Sequence, residues 1–165
     1  MSYTEVVLYG RTLRVYDENR IEAEFRNIKD NWRIKPSVNL HGYKGVHFKV
    51  DGKEHYIAIH RLVFYINNPS WDIYDSRHDN SIDHINGNPL DNRIENLRCV
   101  TNQENCFNYT RAKGYHWHKQ KCKWESAIRV GRKTIYLGTF INEDDARNAY
   151  LTAKAKYHII VPKTF

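Results

Sequence analysis

The sequence predicts an α+β fold: a β-rich N-terminal part, a central strand, loop, strand and helix, and a small three-stranded antiparallel sheet packed on one helix. Three observations carry this. Short runs that alternate apolar and polar residues recur beside Gly-containing turns, as half-buried hairpin strands do. Thr101 to Glu104 spells a capping box, so a helix begins at about Asn102. Behind three strand-like runs, Ala146, Ala149, Tyr150, Ala153 and Tyr157 recur at helical spacing and give a helix one apolar stripe to lay on a sheet.

In chain order, Val6 to Tyr9 and Thr12 to Tyr16 flank Gly10-Arg11 as a hairpin, and Val46 to Val50 and Glu54 to Ile59 flank the favoured turn dipeptide Asp51-Gly52 as a second. His60 to Ile66 then reads as a short helix. A histidine on such an apolar helix, His60, is expected to be a satisfied core residue, the alternative being a group that supports the active site from behind, and Trp32, Trp71 and the neighbouring tyrosines are expected to be packing. Asn67 to Ser70 and Asp75 to Asn80 are loops. Ile82 to Ile85 alternates as a strand, Asn86-Gly87 supplies a turn that tolerates positive φ, a polar loop runs from Asn88 to Asn96, and Leu97 to Val100 is a second strand. Asp83 and His84, adjacent on that first strand, point to opposite faces unless the strand ends there. Asn105 lies in the first turn of the helix that follows.

The last third reads as strands over 113–118, 123–130 and 133–137, with Gly138 closing the sheet. Asn142, followed by Glu143, Asp144 and Asp145, starts a helix with an N-cap and negative charge at the positive end of its dipole. The runs divide the chain into residues 1–76, 77–110 and 111–165, with the junction near Tyr109 to Lys113.

With 165 residues, 41% hydrophobic and 13% aromatic, the chain can build one ordinary domain or two small ones. The N-terminal stretch has neither a charged n-region nor an apolar h-region, and no apolar run approaches a membrane span, so a cytoplasmic protein without a membrane partner is expected. Cys99, Cys106 and Cys122 are odd in number, widely spaced and free of any CxxC pair, which argues for buried free thiols rather than disulfides or a zinc site. Charge is uneven. Residues 1–76 hold 11 Lys and Arg against 10 Asp and Glu, residues 77–109 hold 3 against 5, and residues 110–165 hold 12 against 4. A cation is suited to the acidic middle and a polyanion to the basic end.

The middle segment, Ser81 to Asn105, suits one chemistry. Hydrolysis of a phosphodiester needs a base for water and a cation to neutralise charge on the phosphate and leaving oxygen. His84, ordinarily neutral near pH 7, fits the first task. Asp83 and Asn105 offer two oxygen ligands, few enough that a hard ion such as Mg²⁺ would keep waters and take phosphate oxygens. Asn86, Asn88, Asp91 and Asn92 are read as turn chemistry.

Asp83-His84, Asn96 twelve positions after the histidine, and Asn105 nine further on resemble the HNH motif of the ββα-metal endonucleases, especially the free-standing and intron-borne homing endonucleases of phages. The text DHINGNPLDNRIENLRCVTNQEN is similar to that family almost throughout, and IAIHRLVFYIN is similar to what precedes the motif there. The resemblance implies an HNH ββα-metal nuclease core, with His84 as general base, Asp83 and Asn105 as ligands of one Mg²⁺ or Mn²⁺ ion per active site, and Asn96 as the brace that holds the loop and orients the histidine.

Strand parity gives the C-terminal sheet an apolar face of Tyr115, Trp117, Trp124, Ser126, Ile128, Val130, Ile135 and Leu137, and an opposite face of His116, His118, Lys123, Glu125, Ala127, Arg129, Arg132, Thr134 and Tyr136. The segment from Gly114 to Ala153 resembles the Apetala-two type DNA-binding domain of plant ethylene-response factors, through Trp124, Ala127-Ile128-Arg129, Leu137-Gly138-Thr139-Phe140, Ala146 and Ala149-Tyr150. His116 and His118 stand where plant members carry arginine, and Tyr136 where they carry tryptophan. The resemblance implies a sheet in the major groove of double-stranded DNA, with Arg129 on a base; Lys113, Lys119, Lys121 and Lys133 are better placed for phosphates. The leading expectation is a site-directed DNA endonuclease of homing type, acting as a monomer that nicks one strand, in a bacterial host cytoplasm if phage-encoded. The alternative is a DNA-binding regulatory protein on a nuclease-derived scaffold, and a third possibility is a phage packaging or repair nuclease with little sequence preference.

Overall fold

A computed structural model of the chain describes residues 3–16, 20–24, 30–35, 38–40, 42–77, 79–108 and 113–165. The junction expected near Tyr109 to Lys113 therefore lies, Lys113 apart, outside the described residues. The chain gathers into two compact units: Met1–Arg77 with Ile82–Cys99 and Thr164–Phe165, and His78–Ser81 with Val100–Lys163. This division cuts across the three segments read from the sequence, since the helix expected to close the middle segment groups with the C-terminal sheet.

In the first unit, β1 (Thr4–Leu8), β2 (Arg11–Val15), β3 (Ile21–Glu24) and β4 (Trp32–Ile34) form one antiparallel sheet in chain order, and β5 (Val38–Leu40), β6 (Tyr43–Val50) and β7 (Lys53–Ala58) another. Two hairpin turns place consecutive residues at positive φ, Tyr9 (52°) with Gly10 (75°) and Asp51 (46°) with Gly52 (81°). That is the type I′ geometry, whose twist matches the strands it joins. The first turn is thus Tyr9-Gly10, one residue earlier than the sequence pattern suggested. Leu8, Leu13, Val46, Phe48 and Ile57 are buried with Ile59, Leu62 and Phe64 of helix α1 (Ile59–Asn67) and with Trp71, which makes one core.

Past α1 the backbone is pinned by Arg61, which donates to the carbonyls of Ile73 and Asp75 at 2.7 and 3.0 Å while lying 4.7 Å over the Trp71 ring. β8 (Ser81–His84) and β9 (Leu97–Val100) then pair, and their Ile82, Leu97 and Cys99 side chains enter that core. β8 stops at His84 rather than Ile85, and the loop that follows ends in a 3-10 turn over Ile94–Asn96.

In the second unit, α2 (Asn102–Phe107) opens on the expected capping box: the Thr101 hydroxyl accepts from the Glu104 N–H at 3.2 Å, and the Glu104 carboxylate from the Thr101 N–H at 2.9 Å. β10 (Tyr115–His118), β11 (Lys123–Val130) and β12 (Lys133–Phe140) form an antiparallel sheet, on which α3 (Glu143–Tyr157) packs Tyr150 and Ala153 against Ile128. Gly138 does not close the sheet; it sits at φ 135° beside a register shift at Ser126/Ala127, and β12 continues to Phe140. A backbone so far from the ordinary strand region is open to glycine at little steric cost. Trp117, expected under the helix, is 43% exposed and meets Trp124 edge-on. Of the thiols expected to be buried only Cys99 is, while Cys106 and Cys122 are exposed; none of the three is in a disulfide among the described residues. Among the described residues, no helix is long and apolar enough to cross a membrane.

Gly114 sits at φ +68, and a Cβ there would lie 2.0 Å from the Tyr150 ring. Gly131 has a similar φ of +59 but nothing within 4 Å. Gly131→Ala should cost only the left-handed strain of about 1–2 kcal/mol, whereas Gly114→Ala should cost more, on the order of 3 kcal/mol. Urea unfolding of the two variants checks the ranking; equal losses would show that Tyr150 moves aside freely.

Candidate active site

β8 ends at its histidine, so Asp83 and His84 escape the strict alternation of a longer strand, and both are buried. The chain turns at once: Ile85 N–H donates to the Asn96 carbonyl at 2.9 Å, and Gly87 N–H to the His84 carbonyl at 2.9 Å, with Gly87 at φ 71°. Asp83 meets Arg98 from β9, whose Nε and terminal nitrogen lie 2.8 and 2.7 Å from Asp83 Oδ2. Neither partner of this pair is more than 15% exposed in its side chain, so the attraction acts with little screening by water.

His84 takes a different environment. Its Nε2 lies 3.0 Å from Asn92 Oδ1, a fully buried side chain. A carbonyl oxygen only accepts, so Nε2 carries the proton and Nδ1 is the basic nitrogen of the neutral ring. The Tyr43 ring lies 5.9 Å from His84, and His60 of α1 stands edge-on at 5.1 Å.

Asn96 laces the intervening loop. Its Oδ1 accepts from Asn86 N–H at 3.0 Å, and its Nδ2 donates to the Asp91 carbonyl at 2.8 Å and to Asn86 Oδ1 at 3.0 Å. Asn86 and Asn88 each accept from the backbone two residues on, at 2.8 and 3.1 Å, the turn chemistry read from the sequence. Asp91 is gripped by Arg93 at 2.8 and 2.9 Å and by Asn86 Nδ2 at 2.9 Å, and these hold its carboxyl well below the usual range, Arg93 foremost. Asn92 follows directly, so the brace at Asn96 is passed through the Asp91 backbone to the side chain that holds His84.

Asn92 is therefore not turn chemistry, and His60 is not a satisfied core residue. His60 is buried, yet its Nδ1 has no partner among the described residues. Burial, then the neighbouring His84 and Arg61, push its pKa down to about 3, so it stays neutral beside His84. No spacing in the sequence marks Asn92, His60 or Arg98, because the loop and the packing of α1 set their distances. Asn105 sits half-buried in α2, in the second unit. Among the described residues no group of three or more His, Cys, Asp and Glu gathers to hold a metal, so any ion would rely on Asp83 with neutral oxygens such as an Asn side chain. A buried carboxylate is suited to that role for a hard divalent cation.

In the C-terminal sheet the register sets His116 beside Glu125, His118 beside Lys123, Ala127 beside Tyr136 and Arg129 beside Thr134, while Ser126 and Ile128 are buried on the α3 side. Lys113, His116, Lys119, Lys123, Arg129, Arg132, Lys133 and Tyr136 are exposed, and His118 is half-buried. Lys121 is tied to Glu125 at 2.6 Å, with His116 3.8 Å from the same carboxylate, so this face carries a local acid that offsets part of its charge.

Residues 58–106 match the family model described as HNH endonuclease. The match takes in His60, Asp83, His84, Asn92, Asn96, Arg98 and Asn105, and it supports a nuclease with DNA as its substrate. No curated protein and no solved structure matches the chain.

The unfolded chain takes up the His60 proton near pH 6.5, but the folded chain resists it down to about pH 3. Between those values the unfolded state binds more protons, so stability falls as pH drops, by at most about 1.4 kcal/mol per unit. Denaturant unfolding of wild type and His60→Leu from pH 7 to 4.5 should show the gap moving in favour of the variant as pH falls. A constant gap would mean that His60 protonates readily in the fold.

Proposed function

We propose that this chain is a metal-dependent, site-directed DNA endonuclease of homing type, acting as a monomer that hydrolyses one phosphodiester bond and nicks one strand. The observation that carries the reading is the His84–Asn92 hydrogen bond, formed by a loop that Asn96 laces inside the segment similar to HNH endonucleases. A general base works when one nitrogen is fixed and the other is basic, and this arrangement assigns Nε2 and Nδ1 to those parts. His84 Nδ1 takes the proton of a water whose oxygen attacks phosphorus as the bond to the leaving oxygen breaks. Asp83 and Asn105 are the residues to hold one Mg²⁺ or Mn²⁺ ion, which when bound neutralises charge on the phosphate. Arg98 holds Asp83 in place. His60 and Tyr43 form an aromatic wall beside His84 that limits water.

The address belongs to the C-terminal sheet. Its likeness to an Apetala-two type domain supports docking in the major groove of double-stranded DNA, with Arg129 on a base, His116, His118, Lys123 and Tyr136 on the same face, and Lys113, Lys119, Arg132 and Lys133 on phosphates. Lys121 joins them only by leaving Glu125. The likeness to phage enzymes supports a phage gene acting in a bacterial host cytoplasm.

One observation favours a second reading, a DNA-binding regulatory protein on a nuclease-derived scaffold: Asp83 already has a cation in Arg98. Removing a general base costs roughly 10²–10⁴-fold in rate. On the nuclease reading, wild type with Mg²⁺ converts supercoiled plasmid bearing its site to open circles, chelation stops it, and His84→Ala binds the DNA but cleaves slower by about that factor. Inactive wild type that binds the same DNA tightly would favour the regulator, and direct conversion to linear DNA would mean two sites acting together. Arg129→Ala should lose about 1–3 kcal/mol at one base position; an equal loss on all sequences would make Arg129 a phosphate contact.

A further inference from the structure

β11 outruns β10. The first β10 residue, Tyr115, pairs with Ser126, and Ala127 N–H still donates to the Gly114 carbonyl at 3.0 Å, but from there to Val130 no strand among the described residues pairs with that edge. His158, just past α3, covers part of the gap, with Nε2 2.9 Å from the Arg129 carbonyl and its ring stacked on Phe107 of α2 at 4.0 Å and 7°. Beside this edge lies a cavity of about 470 Å³, lined by Phe107, Cys106, Lys113, Arg129, Tyr150 and His158 among others. It lies within the second unit alone.

The lining has a definite chemistry. Lys113 and Arg129 are both cations, and no Asp or Glu is among its described residues. Tyr150 and Phe107 supply ring surface. Because the Arg129 carbonyl can only accept, His158 donates through Nε2 and keeps a lone pair on Nδ1, and that nitrogen is buried without a partner among the described residues. A buried acceptor in that state calls for an N–H donor. Anionic charge at the mouth, a flat ring within and an N–H on its edge together describe a nucleotide, and the volume falls in the range of small-ligand sites, about 300–1,000 Å³.

We infer that this cavity binds one unstacked nucleotide of the DNA substrate, base inside, with Lys113 on its phosphate and His158 Nδ1 on its base edge. A sequence-tolerant pocket of this kind combines cations that track the backbone with aromatic rings that receive a base. Lysine serves as a point charge for phosphate. The inference rests on DNA being the substrate, not on cleavage.

Cys106 lines the cavity and is exposed, which provides the readout. In full-length Cys122→Ser protein, Cys106 is the sole exposed thiol, since Cys99 is buried. Its alkylation by N-ethylmaleimide is followed at low salt with three probes about ten units long: oligodeoxycytidine, an abasic oligonucleotide of the same phosphate charge, and polyglutamate. One stacked base is worth on the order of tenfold in affinity. The deoxycytidine probe should slow alkylation about tenfold or more relative to the abasic one, and Lys113→Ala should abolish the protection. Equal protection by the abasic oligonucleotide or by polyglutamate overturns the inference, as does an unchanged rate when anisotropy shows the deoxycytidine probe bound. Plasmid nicking by the same Cys122→Ser protein separates the two claims: protection without nicking leaves the nucleotide site and removes the nuclease, and nicking without protection does the reverse.

Discussion

The contact on which the candidate site depends is the hydrogen bond between His84 Nε2 and Asn92 Oδ1. The carbonyl of this contact decides which nitrogen of the ring carries the proton. Asn92 in turn can reach His84 only because the loop before it is held shut by Asn96, Asn86 and Asp91. Three asparagines and an aspartate thus do for one side chain what a longer sheet does for many. The cost is an Asn92 Nδ2 buried without a partner among the described residues, which a purely structural loop would have little reason to keep.

The second constraint is the Asp83–Arg98 pair across the same two strands. Removing either partner of a buried ion pair leaves an uncompensated charge, typically at a cost of about 3–5 kcal/mol, though the intact pair adds little net stability. Its value is therefore placement. Arg98 fixes the position of the carboxylate, and it does so from β9, where Leu97 and Cys99 on either side of it are fixed in the core.

Much of this was legible in the sequence wherever the interaction is local. The capping box at Thr101, the Asp51-Gly52 turn, the stripe through Ala146, Tyr150 and Ala153, and the Asn86 and Asn88 turns each depend on residues a few positions apart, and the structure has them all. What the sequence hid was non-local. His60 meets His84 through the packing of α1, Arg98 meets Asp83 by the pairing of β8 with β9, and Asn92 looked like one more loop asparagine until the loop closed. The end of β11 was hidden for the same reason, because only the pairing of the strands fixes where β10 begins. Gly138 misled in the other direction: a glycine after a strand reads as a stop, yet here it serves an irregularity that the strand survives.

Every sheet among the described residues joins strands in the order in which the chain supplies them: β1 to β4, β5 to β7, β8 with β9, and β10 to β12. No crossover interrupts any of them. Each sheet can therefore form from a short stretch of chain, with little loop-closure entropy to overcome before its pairs are made. For a chain emerging from the ribosome, the N-terminal hairpins can pair before the loop between β8 and β9 exists, and Asn92 then closes on a histidine whose strand already has a core to rest on.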